Sequence, residues 1–218
     1  FDTGGKILQT IGGPGNSPGL FHGPSGISFD FNGNFYVSDA GNNRVQKFNE
    51  KGLFEIEFSG SGKNILKNPA GLTFYKDQIY VVDKDNQRVL VFDLDGNVVQ
   101  EITRSEWKKP RNIKIIENQI YLTDELTGIW SYSLDAGDWK LLPRFRDKNG
   151  VYRVLTRPFS VNIDSSGSFY ALDYARHRID IFTEKNSLLS SLDLRVESID
   201  TSNFPNIHIY TRLRNRSG

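Results

Sequence analysis

Pro24-Ser25-Gly26-Ile27-Ser28-Phe29-Asp30, a turn at Asn32-Gly33, Phe35-Tyr36-Val37-Ser38-Asp39, a polar loop, Arg44-Val45-Gln46-Lys47-Phe48, a turn at Lys51-Gly52, and Leu53 to Phe58 form the stretch on which the chain is patterned. It recurs. Pro69-Ala70-Gly71-Leu72 leads to Tyr80-Val81-Val82-Asp83 and Arg88-Val89-Leu90-Val91-Phe92; Pro158-Phe159-Ser160-Val161 leads to Tyr170-Ala171-Leu172-Asp173 and Arg178-Ile179-Asp180-Ile181-Phe182. A weaker copy starts at Pro110 and passes through Tyr121-Leu122-Thr123-Asp124 to Ile129-Trp130-Ser131-Tyr132. The prolines are 45, 41 and 48 residues apart, a period of solenoids, propellers or arrays. Within a unit, the step from Pro to Asp is 15, 14, 14 and 15 residues, and from Asp to the closing aromatic 9, 9, 8 and 9. Length changes are therefore confined to particular loops, as expected of one structural unit copied.

Each unit reads as four short strands. Ile27 and Phe29 alternate with polar neighbours, as do Phe54, Ile56 and Phe58 with Glu55 and Glu57, the period of two of half-buried strands. Phe35-Tyr36-Val37 is continuously apolar and belongs deeper. Asn32-Gly33, Lys51-Gly52, Asp95-Gly96 and Ser166-Gly167 supply turn residues that tolerate positive φ. A four-stranded meander at this repeat length is a propeller blade, and the fold class is all-β.

Pro-x-Gly-Ile, Tyr-Val-x-Asp and Asn-Arg-Val-Gln-Lys-Phe resemble the NHL repeat, closely in the first two units and the fourth, weakly in the third, which lacks the Arg. The resemblance implies an NHL-type β-propeller of antiparallel blades, usually closed with about six, and no particular activity.

No run of about 18 apolar residues exists to span a membrane, and a formal charge of +1 argues against a surface that attracts nucleic acid overall. Zero cysteines exclude disulfides and thiol catalysis. The first residue is Phe and Met is absent, so the sequence reads as a processed form or an excised segment, without a visible signal peptide. Residues 1–195 are assigned to propeller blades, with 1–13 as the outer strand of an earlier blade and blades at about 21–62, 66–103, 107–142 and 155–192. Residues 196–218 read as a two-stranded tail, either closing the ring or starting another domain. Phe204-Pro205 and Ile207 in it faintly resemble the lead-in to an immunoglobulin-like or von Willebrand A-type module of bacterial envelope proteins.

In a meander, alternate connections fall on opposite ends. The glycine turns share one face, and the loops at 40–43 and 59–68 share the other, which carries every large length change. Loops on a rigid scaffold collect binding residues, so that second face is the functional candidate. Its largest insertion, Pro143 to Arg157, holds Arg144, Arg146, Lys148, Arg153 and Arg157 against one acid, Asp147, with Phe145 and Tyr152 interleaved. Trp107, Lys108, Lys109 and Arg111 add a second basic cluster on the same face. Together these are the candidate partner-binding residues, suited to an acidic protein, an anionic polymer or RNA; a plain solvated loop is the bland alternative.

The recurrent Asp39, Asp83 and Asp173 each precede an Arg by five residues, Arg44, Arg88 and Arg178, a spacing suited to a bracing ion pair; Asp124 lacks such an Arg. Amidating lyases and hydrolases that resemble NHL propellers assemble metals from several ligands in the central channel. Here only His22, His177 and His208 are present, too few imidazoles for a zinc site by themselves. The sequence therefore points to a non-catalytic binding and assembly scaffold with a protein partner, no cofactor and no metal, in the periplasm, at the surface or outside a bacterium. A metal-dependent propeller lyase or hydrolase is the rival, and RNA binding through the basic loops a second one.

Overall fold

The computed structural model describes residues 6–142, 145–146, 149, 151–164, 167–183 and 188–193. Residues 196–218, including His208 and the expected tail strands, lie outside them, as do Arg144 and Lys148. Four antiparallel four-stranded sheets follow one another along the chain. Blade one comprises β1 (Pro24–Phe29), β2 (Phe35–Asp39), β3 (Arg44–Phe48) and β4 (Phe54–Phe58); blade two comprises β5 (Pro69–Tyr75), β6 (Gln78–Asp83), β7 (Arg88–Phe92) and β8 (Val98–Thr103). Blade three comprises β9 (Pro110–Ile116), β10 (Gln119–Asp124), β11 (Gly128–Ser133) and β12 (Trp139–Leu141). After a short hairpin of β13 (Phe145–Arg146) and β14 (Tyr152–Arg153), blade four comprises β15 (Pro158–Ile163), β16 (Ser168–Asp173), β17 (Arg178–Thr183) and β18 (Leu188–Asp193).

The turns follow from their residues. Gly33, Gly52, Gly96 and Gly167 take φ between 80° and 86°, and the preceding Asp30, Asn49, Asp93 and Asp164 accept backbone N–H groups across each turn. In blades two and three the first hairpin turns instead on Lys76-Asp77 and Glu117-Asn118, all four at positive φ, the backbone of a two-residue hairpin whose twist matches its strands.

The first strands, β1, β5, β9 and β15, come side by side, so the sheets radiate from a common axis as propeller blades. Apolar residues fill each seam between blades. Tyr36, Val45 and Phe58 of blade one meet Leu72, Ile79 and Leu90 of blade two; Val82, Val89 and Val91 meet Ile113, Ile120 and Leu122 of blade three. A smaller cluster of Tyr121, Ile129, Val161, Phe169, Ala171 and Phe182 joins blades three and four. Gly71 shows how close the inner strands approach: a Cβ there would lie 2.7 Å from Cα of Asn112. The Pro-x-Gly motif is thus a packing requirement. Blade three has Asn112 at that place and blade four Ser160.

Residues 6–13, expected as an outer strand, adopt none. A strand needs a ladder neighbour, and none stands beside them among the described residues. Instead Ile11 packs against the buried cluster of Phe35, Val37 and Phe48, and Gln9 donates a hydrogen bond to the Lys51 carbonyl.

Candidate functional site

The face carrying the inter-blade linkers is organised by the four Asp residues that end β2, β6, β10 and β16, every one fully buried. Each accepts the backbone N–H two residues before its blade's proline: His22 to Asp39 and Lys67 to Asp83 at 2.7 Å, Lys108 to Asp124 at 2.7 Å, Thr156 to Asp173 at 2.8 Å. One residue earlier, Phe21, Leu66, Trp107 and Leu155 turn inward and pack in or beside the seams. A buried carboxylate requires such donors, and the incoming linker supplies them. Two of the expected pairs form around this latch, Arg44 Nε to Asp39 at 3.0 Å and Arg88 Nε to Asp83 at 2.7 Å. The third does not. Arg178 turns to Asp180 at 2.9 Å, because that carboxylate sits two residues along the same strand face, where blade one has Gln46 and blade two Leu90. Asp124 needs no Arg, since four backbone N–H groups, of Lys108, Lys109, Leu126 and Thr127, donate to it.

Between blades three and four the same face carries a concentrated charge cluster. Glu125, 4% exposed, is the centre: Lys109 Nζ lies at 2.9 Å, Arg111 Nε at 3.1 Å and Arg157 Nη2 at 2.7 Å. Burial pushes its carboxyl up, but the hydrogen bonds from Arg157 and Lys109 and the charge of Arg111 outweigh that and hold it below the usual Glu range. Arg111 stacks over the Phe159 ring at 4.2 Å and Arg157 over Tyr174 at 5.7 Å. Beside the cluster runs a cleft of about 310 Å³, walled by Glu125, Thr127, Ile129, Leu142, Val154 and Thr156. In chain order the β13–β14 hairpin falls in the linker between β12 and β15.

Of the candidate partner-binding residues, Lys109, Arg111 and Arg157 are thus brought together, although from two separate sequence clusters. Lys108 donates its Nζ to the Ser105 carbonyl at 2.8 Å. Phe145, Arg146, Tyr152 and Arg153 form the hairpin strands. Trp107 is not available to a partner: it is fully buried and packs edge-on against Trp139, ring centroids 4.9 Å apart. It belongs with Phe21, Leu66 and Leu155 at the third residue before each proline, a recurrence that marks it as an anchor. His22 is exposed, and no group of three or more His, Cys, Asp or Glu able to hold a metal occurs among the described residues.

A further recurrence lies outside the motifs that define the repeat. Four residues after each proline stand Ser28, Thr73, Lys114 and Asn162, all polar, between apolar neighbours. They lie on the innermost strands, on the face turned to the following blade, as shown by the Phe74 N–H donating to Ser28 Oγ at 3.0 Å.

The family described as NHL repeat matches residues 21–48. The family described as 6-bladed beta-propeller matches residues 56–155. The chain carries an NHL repeat in a β-propeller fold. Human E3 ubiquitin-protein ligase TRIM32 is 27% identical over 185 residues, 75% of this chain and 26% of that protein. A probable peptidyl-alpha-hydroxyglycine alpha-amidating lyase of Caenorhabditis elegans, pgal-1, is 30% identical over 128 residues, 52% of this chain and 35% of that protein. The chain thus spans about a quarter to a third of the length of these curated relatives. Virginiamycin B lyase from Staphylococcus aureus shares the fold with a TM-score of 0.59 at 14% identity, over 78% of this chain and 55% of that structure. No helix is long and apolar enough to cross a membrane among the described residues.

Proposed function

We propose that this NHL propeller is a binding scaffold that holds a protein partner on its linker face, at the seam of blades three and four. The observation that carries the proposal is the convergence there of Lys109, Arg111 and Arg157 on the single carboxylate of Glu125, beside an open cleft and the basic hairpin insertion. Three cations around one anion leave a net positive patch whose guanidinium planes are pre-positioned by aromatic rings, a surface suited to an acidic protein segment. Similarity to a ubiquitin-protein ligase, a class that acts on proteins, supports this reading. The test replaces Arg144, Arg146, Lys148 and Arg153 together with Ala and measures capture of crosslinked partners after nuclease treatment. Capture of protein should weaken, with the melting temperature measured in parallel to separate loss of the site from misfolding. Unchanged capture removes the basic insertion from the proposal, unchanged capture by a Lys109→Ala, Arg111→Ala variant as well removes the charge cluster, and capture lost on nuclease treatment replaces protein by RNA.

Catalysis is the second reading, favoured by the similarity to an amidating lyase and the fold shared with virginiamycin B lyase. Elimination activity together with a stoichiometric divalent metal in the purified protein would establish it in place of the scaffold.

A further inference from the structure

The polar residues of the innermost strands converge at a different place from the basic seam. Lys114 on β9 lies directly across the ladder from Tyr121 on β10, so both side chains stand on one face of the sheet. Tyr121 meets Phe169 of blade four edge-on at 5.1 Å, which fixes that face as the one turned to blade four. There a cleft of about 740 Å³ opens at the hairpin ends of blades three and four, lined by Lys114 with Thr73, Gln119 and Asn162, and by Glu117 and Asp164. That volume falls in the range of small-molecule pockets, roughly 300–1,000 Å³.

Lys114 is half-buried, yet its ammonium makes no ion pair or hydrogen bond among the described residues. Two other partly buried lysines do carry a counter-ion, Lys47 with Glu55 at 2.8 Å and Lys109 with Glu125 at 2.9 Å, whereas Lys84, which lines neither cleft, shows none among the described residues. An ammonium that lines an open cleft with no counter-ion beside it is available to attract an incoming anion. The acids lining the same cleft define what kind of anion. Asp164 is engaged by Ser168 N–H and the Tyr170 hydroxyl, and Glu117 adds a second negative charge near the opening. Together they repel polyanions and favour a small ligand that pairs one carboxylate with hydroxyl or amino groups. Thr73, Gln119 and Asn162 supply uncharged hydrogen-bonding groups for the rest of such a molecule.

We propose that this cleft is a binding site for a small organic carboxylate of the hydroxy-acid or amino-acid class, held by Lys114. The site is separate from the linker face and does not depend on the scaffold proposal.

The test uses the whole chain with its lysines reductively methylated with carbon-13, Lys114→Arg assigning the Lys114 resonance, and L-malate, L-glutamate and inorganic phosphate as probes. The Lys114 signal should shift saturably with malate or glutamate at concentrations that leave exposed Lys51 and Lys63 unmoved. In calorimetry on the unmethylated chain, Lys114→Gln should weaken binding by about ten- to hundred-fold, as expected for a lost charge-assisted hydrogen bond. Lys114→Arg should retain most of the affinity, and an unchanged melting temperature in both variants separates loss of the site from misfolding. A Lys114 signal that moves no more than those of Lys51 and Lys63 overturns the proposal, as does equal affinity in Lys114→Gln. Phosphate bound more tightly than either acid overturns the assignment to carboxylates.

Discussion

Glu125 and Asp124 are adjacent carboxylates solved in opposite ways, one by side-chain cations and the other by backbone N–H groups. Glu125→Gln removes the anion on which three partly exposed cations converge, and should cost about 1–3 kcal/mol at neutral pH in a denaturant titration, less than a fully buried pair because water screens the cations. Because the folded-state pKa of Glu125 lies below the ordinary Glu value, its contribution is complete above about pH 4.3 and is lost as pH falls through the lowered value. The difference between wild type and Glu125→Gln should therefore shrink when the titration is repeated near pH 3. Asp124→Asn forces an amide donor among four N–H donors and should cost about 2–4 kcal/mol. The Asp–Arg spacing was readable in sequence because a terminal strand residue and the first residue of the next strand are ladder partners, as Asp39 with Arg44 and Asp83 with Arg88. It misled for Arg178, where the nearer carboxylate, Asp180, is set by the strand's own period of two. Trp107 misled for a related reason: its basic neighbours at 108, 109 and 111 suggested a surface, while its register before Pro110 places it inside.

At the scale of strands and turns, the repeat ruler was enough to place all four sheets, because alternation and Gly turns are local properties. The β13–β14 hairpin was not foreseen, since two ladder pairs leave almost no periodicity; its one signal was Asn149-Gly150 between Phe145-Arg146 and Tyr152-Arg153. The inner-strand glycines give a test at this scale. Gly71→Ala places a methyl group 2.7 Å from Asn112 Cα and 3.0 Å from the Arg111 carbonyl, neither of which is a side chain able to swing aside. It should destabilise by about 1–3 kcal/mol, whereas Ser160→Ala, at the corresponding place in blade four, should cost less. Thermal melts of the two variants check the contrast. Between blades one and two, Ser38 Oγ donates to the Ala70 carbonyl; between three and four, Thr123 Oγ1 donates to the Phe159 carbonyl at 3.2 Å. Blade two has Val82 there, buried against the next blade.

Across the whole molecule, the seam between blades three and four differs from the others. Its core is the smaller one, Asn112 stands where the first two blades have Gly, and clefts open at both of its ends. The sequence pointed to the linker face because insertions gather there, but Glu125 as the meeting point of two basic clusters depends on how neighbouring blades are juxtaposed, which spacing alone does not encode. If the linker face takes an acidic partner by charge, capture should weaken as ionic strength rises from about 0.05 to 0.5 M, where the screening length shortens several-fold; salt-independent capture would point to apolar contact instead.

The Asp latch has a practical corollary. At every junction it engages the amide proton two residues before the proline, on His22, Lys67, Lys108 and Thr156, so these four protons are built-in reporters of when each blade lets go of its incoming linker. In native-state deuterium exchange followed residue by residue, Thr156 should exchange ahead of Lys67 and Lys108, marking the latch beside the loosely filled seam as the place where the array first opens.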